Sequence, residues 1–282
     1  MLTGMRIDFL KMQGLGNDFF VFDAPDITAS SRLDAAALRS IADRRTGVGF
    51  DQALMLAGPR NSDSRGSYRV FNADGSEVEQ CGNGARCVAA LLYARSPSLG
   101  REFTMDSPSG AVQARVLEDG LVAVDMGIPN FEPSALPMEA SAEAPQYSLK
   151  VDGTVIDIGA VSVGNPHVVL RVVDVDTAAV TRLGPLIEKH RRFPKRTNVG
   201  FMQIVDRGHI RLRVFERGVG ETRACGTGAC GAAAVGRRLG LLDESVRVDL
   251  RGGTALVTWP HHEQHLWLTG PAQTVFTGSI NI

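Results

Sequence analysis

Short apolar runs broken by Gly, Pro, Asn and Asp dominate the chain. They predict strands over 7–12, 19–23, 53–56, 68–72, 121–126 and 155–158, and a further group over 246–250, 254–259, 265–269 and 273–280. Helical spacing appears in four places. Ser30-Ser31-Arg32-Leu33-Asp34 opens a helix that runs to Arg44, with Leu33, Ala37, Leu38 and Ile41 on one face, and 178–190 repeats it in the second half. The segments 85–94 and 229–235, the latter continuing to Leu239, are apolar almost all round, which marks a buried helix. Residues 58–67 read as a polar turn, and 129–146, rich in Pro, Ala, Ser and Glu, as a loop near a domain crossing. Two buried helices, each set among short strands, predict an α+β fold of two curled, barrel-like mixed β-sheets, each around a central helix.

The same pattern is written twice. Gly16-Asn17-Asp18-Phe19-Phe20-Val21 returns as Gly164-Asn165-Pro166-His167-Val168-Val169. Arg45-Thr46-Gly47-Val48-Gly49-Phe50-Asp51-Gln52 returns as Arg196-Thr197-Asn198-Val199-Gly200-Phe201-Met202-Gln203, and Arg69-Val70-Phe71-Asn72 as Arg213-Val214-Phe215-Glu216. Cys81-Gly82-Asn83-Gly84-Ala85 returns as Cys225-Gly226-Thr227-Gly228-Ala229. Chance matches have no reason to stay collinear, so the blocks point to an internal duplication into two pseudosymmetric domains.

Composition narrows the function. A chain of 282 residues is long enough for two cores. A net charge of −1 without long basic or acidic runs argues against nucleic acid or an anionic membrane as partner. No apolar run approaches the ~20 residues of a membrane helix. The first residues lack a signal-peptide core, and Met5 is a candidate start. The expectation is a reducing, cytoplasmic compartment in which the four cysteines are thiols.

A cysteine just before a helix sits at the positive end of the helix dipole, which favours thiolate. Glycines after it permit tight turns, and their N–H groups can bind a carboxylate. Two such elements facing each other would place one sulfur on either face of an α-carbon. One thiolate would remove the proton and the opposite thiol return one, inverting the centre. Zinc is disfavoured because Cys81/Cys87 and Cys225/Cys230 lack the usual ligand spacing. A Cys81–Cys225 disulfide would be an oxidised, inactive form. Cys87 and Cys230 fall inside the apolar helices, where a structural role is expected.

Several motifs together resemble the diaminopimelate epimerases: Gly14-Leu15-Gly16-Asn17-Asp18-Phe19, Gly49-Phe50-Asp51-Gln52, Phe71-Asn72-Ala73-Asp74-Gly75-Ser76, Gln80-Cys81-Gly82-Asn83-Gly84, Gly164-Asn165-Pro166-His167, Thr197-Asn198-Val199, Glu216-Arg217-Gly218 and Ala224-Cys225-Gly226-Thr227-Gly228. The resemblance implies an isomerase that interconverts LL- and meso-diaminopimelate, on the route to lysine and a cell-wall precursor. It implies a cytoplasmic homodimer without cofactor or metal. It also implies a first domain of residues 1–126 plus 271–282, a second of residues 127–270, and an active site in the cleft between them. Cys81 and Cys225 would be the acid/base pair. Asn17, Gln52, Asn72, Asn165 and Asn198 would line the substrate site. Gly82-Asn83 and Gly226-Thr227 would cradle the reacting carboxylate, and Glu216-Arg217 would meet charged groups of the substrate. His167 and Glu216 would tune protonation. Two departures from the family pattern are Gln13, where many members have His, and Phe276, where a Tyr is common at the dimer contact. A proline racemase or hydroxyproline epimerase shares the two-thiol logic but usually carries His at the place of Asn83. A non-catalytic amino-acid binder would need no thiols, and a dithiol oxidoreductase would reduce a model disulfide.

Overall fold

The computed structural model describes residues 6–24, 33–78 and 81–282; the expectations on Met5, Ser30 to Arg32 and Gln80 lie outside these. The chain divides into two compact units, Met1–Val124 with Gly270–Ile282, and Asp125–Thr269. The first carries β1 (Arg6–Gly14), β2 (Asn17–Asp23), α1 (Ala35–Ala42), β3 (Gln52–Ala57), β4 (Ser64–Asn72), β5 (Glu77–Val78), α2 (Gly82–Arg95), β6 (Glu102–Ser107), β7 (Gly110–Val116) and β8 (Val122–Asp125). The second carries β9 (Tyr147–Val151), β10 (Thr154–Ser162), β11 (Pro166–Arg171), α3 (Val180–Glu188), β12 (Asn198–Asp206), β13 (His209–Glu216), β14 (Gly220–Thr222), α4 (Gly226–Arg238), β15 (Ser245–Leu250), β16 (Gly253–Thr258) and β17 (Trp267–Gly270). The last strand, β18 (Gln273–Asn281), pairs antiparallel with β1.

Strand pairing repeats the duplication. In the first unit β18, β1 and β2 are successively antiparallel, β2–β3 is parallel, β3–β4 antiparallel, β4–β6 parallel, and β6–β7–β8 antiparallel. In the second, β9, β10, β11, β12, β13, β15, β16 and β17 follow with the same alternation. Each parallel pair needs a crossover, and a helix supplies it: α1 and α2 in one unit, α3 and α4 in the other. β5 and β14 add to the same flank of β4 and β13. The strand next to β10 is β9, whereas the strand next to β1 is the chain's last.

The sheets wrap the two apolar helices. α2 packs on β1, β3, β4 and β7, and α4 on β10 to β13 and on β15 and β16. Cys87, Val88 and Ala89 are fully buried in α2, as are Cys230, Ala232 and Ala234 in α4. Phe9, Phe20, Phe22 and Phe50 form a second cluster with Leu38 and Ile41 of α1. Each such buried Phe contributes on the order of 2–3 kcal/mol of transfer free energy.

β6, β9, β11, β12 and β13 form where the sequence reading placed no strand, and three further departures have local causes. Helix α1 stops at Ala42 because Asp43 accepts the N–H groups of Arg45 and Thr46, closing a turn before Arg44. β4 begins at Ser64, inside the stretch read as a turn; Ser64 and Ser67 are buried because their hydroxyls donate to Asp106 (2.8 Å) and to the carbonyl of Gly58 (2.7 Å). β7 escapes notice because its alternate residues are exposed and only Val112, Ala114 and Val116 face inward.

Candidate active site

Cys81 and Cys225 are the N-caps of α2 and α4. Both have extended backbone, and their sulfurs accept the N–H of Gly84 at 3.3 Å and of Gly228 at 3.4 Å. Each helix therefore starts at the residue after the cysteine and not at Ala85 or Ala229. The glycines of the first turn are helical, so their role is close approach and not tight turning. A Cβ on Gly84 would meet Leu54 Cδ2 at 3.0 Å, and one on Gly228 would meet Val214 Cγ2 at 2.9 Å. These contacts let each helix N-terminus, with its first-turn N–H groups and positive dipole end, sit hard against the sheet.

Pairing register defines which residues correspond. Phe19 lies beside Gln52 and Gln52 beside Asn72; His167 lies beside Asn198, and Val199 beside Phe215. Asn17 thus matches Asn165, Phe19 matches His167, Gln52 matches Asn198, Asn72 matches Glu216, and Asn83 matches Thr227. This corrects the sequence blocks in one place. Gln203 is not the partner of Gln52; it accepts from the backbone N–H of Val175 (3.1 Å). The match of His167 to Phe19 agrees with the first block.

In the first unit the neighbourhood of the thiol is ionic. Asn17 Oδ1 accepts from Cys81 Sγ (3.9 Å) and from Asn83 Nδ2 (3.4 Å), while Asn17 Nδ2 donates to Asp51 (2.9 Å). Asp51 pairs with Arg44 (2.7 Å), which also forks onto Asp18. Lys11 closes on Asp18 at 2.6 Å. Burial works to raise the Asp18 carboxyl, but hydrogen bonds from Arg44 and Lys11 outweigh it and hold the group well below the usual carboxylate range. Gln52 donates to Asn72 (3.1 Å), and Asn72 to Ser76. On α2, the fully buried Arg86 donates to Asn83 Oδ1 at 2.9 Å.

In the second unit the thiol and its asparagine have neutral hydrogen-bonding partners, and the charges acting on the site are Glu216 and Arg217. Cys225 Sγ lies 3.5 Å from Thr227 Oγ1, Asn165 Nδ2 donates to Thr227 at 3.3 Å, and Asn165 Oδ1 lies 2.9 Å from His167 Nε2. Burial, then the Glu216 carboxylate, push the Cys225 thiol well above its ordinary value. Burial, then Arg217, hold His167 down at about 3, so the imidazole is neutral near pH 7. Glu216 accepts from Thr222 Oγ1. Asn198 donates to the carbonyl of Pro166 and accepts the Arg217 N–H, both at 2.9 Å; its amide ties together the turn that carries Glu216 and Arg217.

The structure thus brings Asn17, Gln52, Asn72, Gly82 and Asn83 to the Cys81 end of one unit, and Asn165, His167, Asn198, Glu216, Arg217, Gly226 and Thr227 to the Cys225 end of the other. Sequence reading missed Asp51, Arg86 and Thr222 as neighbours. One signal was present: Arg86 is the one charged residue in the otherwise apolar stretch 85–94. The four cysteines stand as thiols, without a disulfide. A cavity of about 660 Å³ in the second unit, lined by Phe131, Trp259, Arg237 and Arg238, lies at the opposite end of α4 from Cys225 and takes no part in this arrangement.

The duplicated α+β fold is shared with solved structures of low sequence identity. Among solved structures, a hydroxyproline epimerase from Agrobacterium vitis matches with a TM-score of 0.70 at 16% identity, covering 98% of this chain and 93% of that one. A phenazine biosynthesis protein of the PhzF family from Bacillus anthracis matches at 0.66 and 18%, covering 99% and 100%. The chain belongs to the diaminopimelate epimerase family, whose model matches residues 9–132 and 159–275. Diaminopimelate epimerases from Thioalkalivibrio sulfidiphilus and Alkalilimnicola ehrlichii are 53% and 51% identical to it, each over 99% of this chain and 100% of the relative. No described helix is long and apolar enough to cross a membrane.

Proposed function

We propose that this isomerase epimerises LL-2,6-diaminopimelate to meso-diaminopimelate, on the route to lysine and peptidoglycan precursor, with Cys81 and Cys225 serving opposite faces of one α-carbon. The observation that carries this reading is the paired N-cap geometry: two thiols, each held by the N–H three residues on, each at the positive end of a buried helix. One sulfur, as thiolate, takes the α-proton. The electron pair left on carbon delocalises into the adjoining carboxylate, whose charge the helix N-terminal N–H groups stabilise. The other sulfur, as thiol, delivers its proton from the opposite face and becomes the thiolate. Atoms and charge balance without a cofactor, and the next turnover in the same direction requires proton exchange with solvent.

The remaining side chains suit a substrate with two carboxylates and two ammonium groups. Gln52 and Asn72 offer neutral donors and acceptors, Arg217 a carboxylate fork, and Glu216 a partner for an ammonium. A cytoplasmic homodimer is part of the proposal; exposed Val275 and Phe276 on β18 support it, and sedimentation at twice the chain mass of 30.2 kDa is the check. The likeness to a hydroxyproline epimerase favours one alternative, a proline-type racemase. Incubation in D2O with meso-diaminopimelate and, separately, with L-proline distinguishes the two. Deuterium should enter diaminopimelate alone; its entry into proline alone overturns the proposal.

A further inference from the structure

We infer that Asp51 and Arg86 are positioning residues that lock the amides of Asn17 and Asn83 in one orientation, so that Cys81 always faces a hydrogen-bond acceptor. This rests on the proposed role of Cys81 in proton transfer. An amide side chain is ambiguous by itself, because its oxygen and nitrogen exchange places on a flip. Here both ends of the chain of amides are ionic. A carboxylate such as Asp51 only accepts, so Asn17 must turn Nδ2 toward it (2.9 Å) and Oδ1 away. A guanidinium such as Arg86 only donates, so Asn83 must give it Oδ1 (2.9 Å) and aim Nδ2 at Asn17 Oδ1 (3.4 Å). Asp51 is fixed in turn by Arg44 and by the backbone N–H of Asp18 (3.2 Å). The oxygen that Cys81 Sγ meets at 3.9 Å therefore cannot become a donor.

The duplicate lacks both locks. By register, Asp51 corresponds to Thr197 and Phe19 to His167, and Arg86 stands where α4 has Cys230. Asn165 is held between a histidine and a threonine, each of which can donate or accept. The Thr227 hydroxyl can turn its proton toward Cys225 or away from it. The hydroxyl and amide beside the second thiol can thus re-orient, and the charge that disfavours its thiolate comes instead from Glu216, whereas the first thiol is biased toward the protonated form by an oriented dipole.

Among the described residues, the charged and titratable groups around Cys81 include Asp18, Lys11, Arg44 and Asp51 behind Asn17, Arg86 and Cys87 on α2, and Tyr68 on β4. Replacing Asp51 by Asn removes a charge as well as the lock, so a charge control is needed, and Asp18→Asn provides it. The experiment follows alkylation of Cys81 and Cys225 by iodoacetamide, peptide by peptide, against pH in the unliganded chain. Asp51→Asn should raise the Cys81 rate at pH 7.5 about tenfold, leave Cys225 unchanged, and exceed the effect of Asp18→Asn at least fivefold. Asn17→Ala should raise the rate similarly, and the double variant should add nothing, because both act through one amide. A Cys81 rate within twofold of wild type in Asp51→Asn, or an equal rise in Asp18→Asn, overturns the inference. If Asp51→Asn does not fold, Asn17→Ala decides, and an unchanged Cys81 rate there is contrary. No substrate is present, so the result is independent of which amino acid the enzyme acts on.

Discussion

The two half-sites share a backbone and differ in electrical character. Each caps a buried helix with a thiol and places an asparagine beside it. In the first unit that asparagine is anchored by Asp51, itself ion-paired with Arg44. In the second it is anchored by the buried neutral His167. Across the sheet, Asn72 of the first half is replaced by Glu216, whose carboxylate helps keep Cys225 protonated. On the proposed two-thiol reading, the difference teaches that duplication preserved the capped thiol that each face of a carbon would need. What must distinguish one face from the other, the charge around it, diverged.

The largest effect tests the shared part. Cys81→Ala and Cys225→Ala should each lower epimerisation by at least about three orders of magnitude, since each removes one of the two proposed acid/base groups. Steady-state assays with either epimer check this. Near-normal turnover in one variant would break the equivalence of the two thiols.

The next effect tests the divergent part. His167 has a folded pKa depressed from 6.5 to about 3, so the unfolded chain binds its proton first as pH falls. Stability linked to this residue is therefore complete above pH 6.5 and lost progressively from there toward pH 3. Between pH 6.5 and 5 it should account for about 2 kcal/mol. Its counterpart Phe19 does not titrate; the first unit's acid sensitivity lies with carboxyls held below their ordinary range, Asp18 and Asp106 among them. Urea unfolding of wild type and His167→Gln at the two pH values measures the difference. Equal acid losses in both would contradict the burial argument.

The smallest effect compares a duplicated ion pair. Arg69 forks onto Glu77 and Arg213 onto Glu221 with nearly identical geometry, but the first pair is 39% and 40% exposed and the second 16% and 11%. Exposure lets solvent screen the first. Arg69→Ala should cost within about 0.5 kcal/mol and Arg213→Ala about 1.5 kcal/mol. Denaturant midpoints decide, and equal losses would show that burial is not what separates them.

Much of this was legible in the residues. The repeated Cys-Gly-x-Gly-Ala element and the apolar helices behind it announced two capped thiols on a duplicated fold, because cap and periodicity are local properties. Register was not legible. The blocks Arg45 to Gln52 and Arg196 to Gln203 look alike, yet strand pairing superposes Gln52 on Asn198, since hydrogen bonding between strands depends on partners far away in sequence. β7 hid for a similar reason: only every second residue faces the core. Asp51 and Arg86 escaped notice because their importance is relational. Each acts by fixing an amide contributed by another element.

The most direct test of the two-thiol account is where solvent hydrogen appears early in the reaction. LL-diaminopimelate is converted in D2O, and both epimers are isolated after a small fraction has turned over. The product meso epimer should carry one deuterium at the inverted carbon while recovered LL substrate carries almost none, because proton removal and return occur on different sulfurs. Equal labelling of substrate and product from the earliest times would mean a single base working on both faces, and would contradict the assignment of Cys81 and Cys225 as a pair.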